Sequence, residues 1–440
     1  MIWFAGWLNE VLGAGVIIWA PVAVIGVTAA ISVRDREVSI YHIALLLVLV
    51  PAASPALATL LGYRFYTPLN MDLQARADLV SAAILLYLLF SAGFLAARPY
   101  RFRFGDTHSK GQRDNRFRIH LPYSVTIPIL IAMVPAFYYA TGGATIITSS
   151  YQDIYGNRPF ASFTHQALNV FFALFLASAK TPDEKRIRLT VLIFYLLLTL
   201  ALSARTISLS LIILFVVFFN GARLSLRSLI ILGIASAIML GIGFIRSQGL
   251  TAFLTDRSSI PSQLAYMQGA TNGGGANIFV GTLGVMDMIS GQRGDIFPAF
   301  PAFGWLSGKY EMSLYEAQGY AYNGGMHIVS ILYWNAGIIG VILGGYLLGR
   351  LFIWCNRVLR EIDGIAYGTL SASIAIATVL IFPRLLWYHP IGTIKLFAAV
   401  FIGYLLLALI KLASGRARTE GAALDCYTRQ RRHITLRRNA

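Results

Sequence analysis

Arg205, Arg246, Arg257 and Arg384 are the residues best suited to chemistry in this chain. Each opens or closes an apolar run, or stands just beyond one. A guanidinium is planar, keeps its charge at any working pH and gives two parallel hydrogen bonds to a phosphate or carboxylate. Such groups suit an oxyanion that must be held and then stabilised as charge builds on it. A second constellation is Tyr322-Asn323-Gly324-Gly325-Met326-His327, directly before an apolar run that reads Trp334-Asn335-Ala336-Gly337-Ile338-Ile339-Gly340. An unperturbed imidazole titrates at about pH 6.5, so His327 is suited to bind or deprotonate a hydroxyl. Asp256, Glu311 and Glu316 are carboxylates with the same capacity. Tyr322 and Asn323 are candidates for contact with a sugar, by ring stacking and amide hydrogen bonds.

Other chemistries lack their residues. There is no Walker loop, no dinucleotide fingerprint and no His/Cys/Asp spacing for a metal, so neither a metal nor a cofactor is expected. The Gly273-Gly274-Gly275 run has no preceding strand and no Lys-Ser/Thr after it, and reads as a flexible turn. Cys355 and Cys426 offer neither a disulfide framework nor a metal site.

The elements that must position these residues are membrane spans. Of 440 residues, 57% are hydrophobic and 12% charged, against about 25% charged in soluble domains. Mean hydropathy is +0.66. Continuous apolar runs of about 20 residues predict an all-α, polytopic integral membrane helix bundle rather than a barrel. The net charge of +17 sits mostly in links beside these runs, the positive-inside pattern. The link 98–120 is the strongest case, with Arg98, Arg101, Arg103, Lys110, Arg113, Arg116 and Arg118. A short basic link between two spans needs no nucleic acid as partner.

About 11 transmembrane helices are expected, near 11–31, 39–62, 78–97, 121–140, 161–179, 189–202, 206–221, 228–245, 327–349, 365–383 and 391–412. The N-terminus is then periplasmic and the C-terminus cytoplasmic. The region 1–412 forms one transmembrane domain with a long periplasmic loop, 246–326, of roughly 80 residues. The basic tail 413–440 is expected to be disordered and held against anionic lipid. Met1 to Glu10 lacks a basic n-region and a cleavage site, so the first run reads as a retained helix. The apolar stretch 276–289 is too short to span and reads as re-entrant or interfacial.

This topology explains the cytoplasmic arginines. It leaves Arg205, Arg246, Arg257 and Arg384 at or beyond the outer face. Arg205 stands between two spans barely long enough to cross, where an arginine costs about 2.5 kcal/mol or more and marks a partner or pathway. A single such residue can snorkel to lipid phosphate. Four of them, at the ends of three separate helices, favour an anion site. Outside a bacterial inner membrane the available diphosphates are carried on lipids.

Several of these features together resemble the O-antigen polymerase (Wzy) family of oligosaccharide repeat-unit polymerases. They are Ser203-Ala204-Arg205-Thr206 opening a span, Ile245-Arg246-Ser247 closing one, and the long external loop. The Asn-Gly…Gly-Ile-Ile-Gly run and Arg384 in the last outer turn (383–390) complete the set. The related O-antigen ligases carry a His-Asn pair, whereas here His327 is followed by Ile328, which favours polymerase over ligase. The resemblance implies a metal-independent glycosyl transfer at the periplasmic face. The donor is a glycan on undecaprenyl diphosphate and the acceptor a second lipid-linked unit. It also implies a flippase and a chain-length regulator as partners. In this reading Arg205, Arg246 and Arg384 hold the diphosphate and Arg257 a second diphosphate or sugar, while Asp256, Glu311, Glu316 or His327 activates the acceptor hydroxyl. A transporter or flippase of lipid-linked sugars is the reading from another class. It would want polar residues along the spans, and these are scarce.

Overall fold

The computed structural model describes residues 1–34, 39–60, 77–98, 118–140, 159–179, 181–201, 205–219, 230, 234, 279, 281–286, 327–362, 367–387 and 395–413. Among these residues there is no strand. The helices are α1 (Ile2–Leu12), α2 (Ala14–Arg34), α3 (Ile40–Leu60), α4 (Ala77–Ala96), α5 (Tyr123–Ala140), α6 (Pro159–Ala177), α7 (Pro182–Ala201), α8 (Arg205–Phe219), α9 (Ile328–Arg360) and α10 (Leu370–Trp387). The last, α11, is Lys395–Ala413. Three helical stretches, Ala77–Ala96, Ala336–Arg360 and Lys395–Ala413, are long and apolar enough to cross a membrane. The protein is thus an all-helical membrane protein over its described residues.

The first apolar run is not one helix. Gly13, at φ 81, breaks it, and the segments Ile2–Leu12 and Val16–Ala30 are bent by 91° from one another. Glycine tolerates that left-handed backbone where other residues do not. Asn9 fixes α1 to the start of α4. Its Nδ2 donates to Asp78 Oδ1 at 2.9 Å, and its Oδ1 accepts from Ser81 Oγ at 2.8 Å. The expected span near 189–202 is longer than its apolar stretch, because α7 begins at Pro182 with Asp183 and Glu184 in its first turn. Acidic residues there favour the helix dipole. The expected span 228–245 lies outside the described residues, apart from two positions, and so does the tail 414–440.

The centre of the fold is the pair α4 and α9. Three glycines let their backbones meet, as small residues do between membrane helices. A Cβ on Gly345 would run into the Phe90 carbonyl, and one on Gly349 would lie 2.6 Å from the Phe94 carbonyl. Each is four residues on from its predecessor, so α4 and α9 run in the same direction. Gly93 closes the same seam from the α4 side, against the Ile342 carbonyl.

The expected single helix at 327–349 is instead broken and longer. Backbone angles leave the helical range at Ala336 (φ −147) and Gly337 (φ 59), and the helix then continues to Arg360. Leu332 meets the positions a Cβ would occupy on both Gly340 and Gly344. In a straight helix, residues 332 and 344 would be about 18 Å apart along the axis. The chain therefore turns sharply at 336–337, and the short arm 328–335 folds onto the long one.

A second tie gathers one end of the bundle. Gly368 N–H donates to Ala177 O at 2.7 Å, and Ile119 N–H donates to Gly368 O at 2.8 Å. Arg188, near the start of α7, is completely buried. Its guanidinium donates to Phe175 O, to Ser178 Oγ at 2.6 Å and to Leu121 O at 3.2 Å. It also lies 3.7 Å from Glu184 and 4.6 Å from the Phe175 ring centre. Beside it, burial pushes the Tyr367 phenol above its ordinary range, with the Arg118 guanidinium over the ring pulling the other way. The links expected on the cytoplasmic side thus share one end: 118–121, 177–188 and 367–368.

Candidate functional site

His327 is the one candidate whose side-chain surroundings are described in full. It caps the N-terminus of α9, with the Val329 N–H donating to Nδ1 at 3.2 Å. Its ring packs on Tyr87 with centroids 4.7 Å apart and planes inclined by 48°. Both residues are completely buried. Tyr87 is ten residues into α4, about 15 Å from its first residue, so His327 lies beside the middle of a candidate span.

A chain of hydroxyls runs next to this ring. Tyr87 OH is 2.9 Å from Thr282 Oγ1, which is 2.7 Å from Ser330 Oγ. Phe279, also buried, lies against Tyr87 at 6.1 Å between ring centres. Residue 279 and the helical segment 281–286 thus pack inside the bundle. That fits the re-entrant alternative for the short apolar stretch 276–289, and it means that the loop 246–326 is not wholly external. Sequence reasoning passed over Tyr87, Thr282 and Ser330. The signal was present for Tyr87, since a phenol in the middle of Ile84-Leu85-Leu86-Tyr87-Leu88-Leu89-Phe90 must find a polar partner.

Arg384 does not stand in a turn. α10 continues through it to Trp387, whose Nε1–H donates to Leu47 O at 2.8 Å. That bond sets the height at which α10 ends. Tyr41 OH donates to Phe94 O at 2.9 Å, joining the start of α3 to the end of α4. Leu47 lies about 9 Å beyond Tyr41, and Tyr87 about 10 Å before Phe94. The end of α10 and His327 therefore stand at the same level of the bundle.

Arg205 is the first residue of α8, which packs against α10. The tie at Gly368 starts α10 at the end where α7 also starts. With 18 residues in α10 and 20 in α7, both run about 27–30 Å from that tie, to where α7 gives way to α8. Ser208 Oγ donates to Thr199 Oγ1 at 3.0 Å across that α7–α8 pair. The backbones of Arg205 and Arg384 thus belong to the same end of one packed group. Arg246, Asp256, Arg257, Glu311, Glu316, Tyr322 and Asn323 lie outside the described residues. Among the described residues no three His, Cys, Asp or Glu side chains come together as a metal would require.

Comparison with known proteins gives one assignment. The family model described as O-antigen polysaccharide polymerase Wzy matches residues 1–297. No curated protein and no solved structure matches the chain.

Proposed function

Because the chain belongs to the O-antigen polysaccharide polymerase Wzy family, we propose that it extends glycans at the periplasmic face of a bacterial inner membrane. Donor and acceptor are oligosaccharide repeat units on undecaprenyl diphosphate. The acceptor hydroxyl oxygen bonds to the anomeric carbon of the donor glycan. The bond from that carbon to the diphosphate breaks, its electrons stay on the diphosphate, and the hydroxyl proton passes to a base. Arg205, Arg246 and Arg384 hold the diphosphate and stabilise it as it leaves. Arg257 holds the second diphosphate or a sugar, and Tyr322 and Asn323 bind a sugar. Asp256, Glu311, Glu316 or His327 takes the proton. The transfer needs no metal. The chain crosses the membrane about 11 times in one domain, N-terminus outside and basic tail inside, and works with a flippase and a chain-length regulator.

The family match carries this reading. The parallel run of α4 and α9, and the common level of His327 and the end of α10, support the arrangement of the site. Purified protein in detergent, supplied with undecaprenyl-diphosphate-linked repeat units, is expected to make longer glycans. A transporter would make none, and a ligase would need lipid A core as acceptor. In cells, Arg205→Ala is expected to abolish chain elongation while single repeat units are still transferred and the protein is still inserted. Wild-type chain lengths in that variant would remove Arg205 from the site.

A further inference from the structure

The cap at the start of α9 decides where the proton of His327 sits. A backbone N–H can only donate, so Nδ1, facing the Val329 N–H, must present its lone pair. The ring proton of the neutral imidazole is then on Nε2. In this form His327 is a donor, and neither nitrogen has a free lone pair with which to accept a proton. Nε2 is buried and has no hydrogen-bond partner among the described residues. A buried donor left unmade costs about 1–3 kcal/mol. The nearby hydroxyls are already engaged with one another along Tyr87, Thr282 and Ser330.

We infer that His327 donates a hydrogen bond through Nε2–H to an oxygen of the lipid-linked substrate, and is not the base that deprotonates the acceptor. This rests on the polymerase reading and narrows it: the proton must go to a carboxylate of the 246–326 region. The oxygen belongs to the diphosphate or to the sugar attached to it, since both are acceptors of suitable strength. The location agrees. The donor stands in the middle of the bundle, level with the end of the helix that carries Arg384.

Two substitutions separate the two nitrogens. Asparagine is among the best N-caps. In His327→Asn its carbonyl can replace Nδ1 at the Val329 N–H, but nothing reaches as far as Nε2. In His327→Gln the amide N–H lies close to where Nε2 was, and the cap is given up. Each purified variant is assayed for melting temperature and for kcat and KM of elongation with undecaprenyl-diphosphate-linked repeat units. The Asn variant is expected to melt with the parent and to lose about 100-fold in kcat/KM. The Gln variant is expected to melt lower, yet to elongate at least about tenfold faster per folded molecule than the Asn variant. Parental elongation by His327→Asn overturns the inference and leaves His327 as a cap alone. A Gln variant no faster than Asn also overturns it. Should the Asn protein fail to fold, His327→Ser, another strong cap without the reach, takes its place in the comparison. Undecaprenyl diphosphate without sugar, used as a competitor, locates the oxygen. Weaker competition in the Asn variant puts it on the diphosphate, and unchanged competition with a raised KM puts it on the sugar. If the parent protein makes no longer glycan from this substrate, the polymerase reading itself fails, whatever the variants do.

Discussion

Replacing Gly349 with alanine adds one methyl group to the α4–α9 seam. That methyl carbon would lie 2.6 Å from the Phe94 carbonyl oxygen and 2.7 Å from the Ala97 Cβ, where ordinary contact begins at 3.4 Å. Neither neighbour is a flexible side-chain tip that can swing aside, so the helices must separate locally by about 0.8 Å. Overpacking of this kind costs about 1–3 kcal/mol. The better helix propensity of alanine offsets at most about 1 kcal/mol of it. Gly26, in α2, supplies the control, because a Cβ there meets nothing within 4 Å. Gly26→Ala carries the propensity gain without the clash, and the two substitutions are expected to have opposite signs. Cys355 reports the outcome. It is completely buried and lies six residues after Gly349 on the same helix. With Cys426 changed to Ser it is the only thiol, and a thiol-reactive dye follows its exposure on heating in detergent. Gly349→Ala is expected to melt several degrees below the parent, and Gly26→Ala at or slightly above it. A Gly349→Ala protein that melts with or above the parent would show that α4 and α9 do not meet along these glycines. The depth assigned to His327, though not its stacking on Tyr87, would then lose much of its support.

Arg188→Met is expected to destabilise the protein by about 3–5 kcal/mol, because it strips the Glu184 carboxylate, two carbonyls and the Ser178 hydroxyl of their donor. The same thiol melt checks it, and an unchanged midpoint would remove Arg188 from the helix ties. Arg384→Lys keeps the charge and discards the planar fork. If the diphosphate is gripped by two parallel bonds, elongation falls by about tenfold or more in the purified assay while the melt is unchanged. Parental activity in the lysine variant would mean that only a point charge is needed there.

The helices were legible in the sequence wherever a run was uniformly apolar, as in Ala77–Ala96. They were misread where a single residue overrules the run. Gly13 sets an unexpected helix, Ile2–Leu12, apart from the span expected near 11–31, and Gly337 folds the arm 328–335 onto the longer part of α9. Hydropathy averages over a window and carries no record of one positive φ. The N-cap role of His327 was open to local reasoning, since a side chain before a helix that can accept from its second residue satisfies an orphan N–H. Its depth was not, because depth depends on which residue of α4 faces it. The burial of Arg188 was not legible for a different reason. In a basic link, an arginine that closes three helix ends and an arginine that only sets topology have the same neighbours in sequence. What separates them is the set of carbonyls that converge on the guanidinium, supplied by Leu121 and Phe175 from other elements.

The same reasoning bears on how a polymerase site is arranged in this chain. Arginines at helix ends were sought at the membrane surface, because solvation favours charge there. The structure sets the end of α10 by the Trp387–Leu47 bond, and Leu47 is only six residues beyond the Tyr41–Phe94 tie. α10 therefore stops well inside the length of α3 and α4, at the level of Tyr87 and His327. A guanidinium held at that depth would be far from bulk water. There it gains more from a bound diphosphate than at the surface, and it costs more when left without one. A lipid-linked substrate carries its diphosphate into the protein from the bilayer side, so a recessed anion site suits that substrate better than a free nucleotide arriving from solution. The prediction is a sharp split in inhibition. Undecaprenyl diphosphate should compete with the substrate at concentrations where inorganic diphosphate does not, and equal competition by the two would place the arginines at the open surface instead.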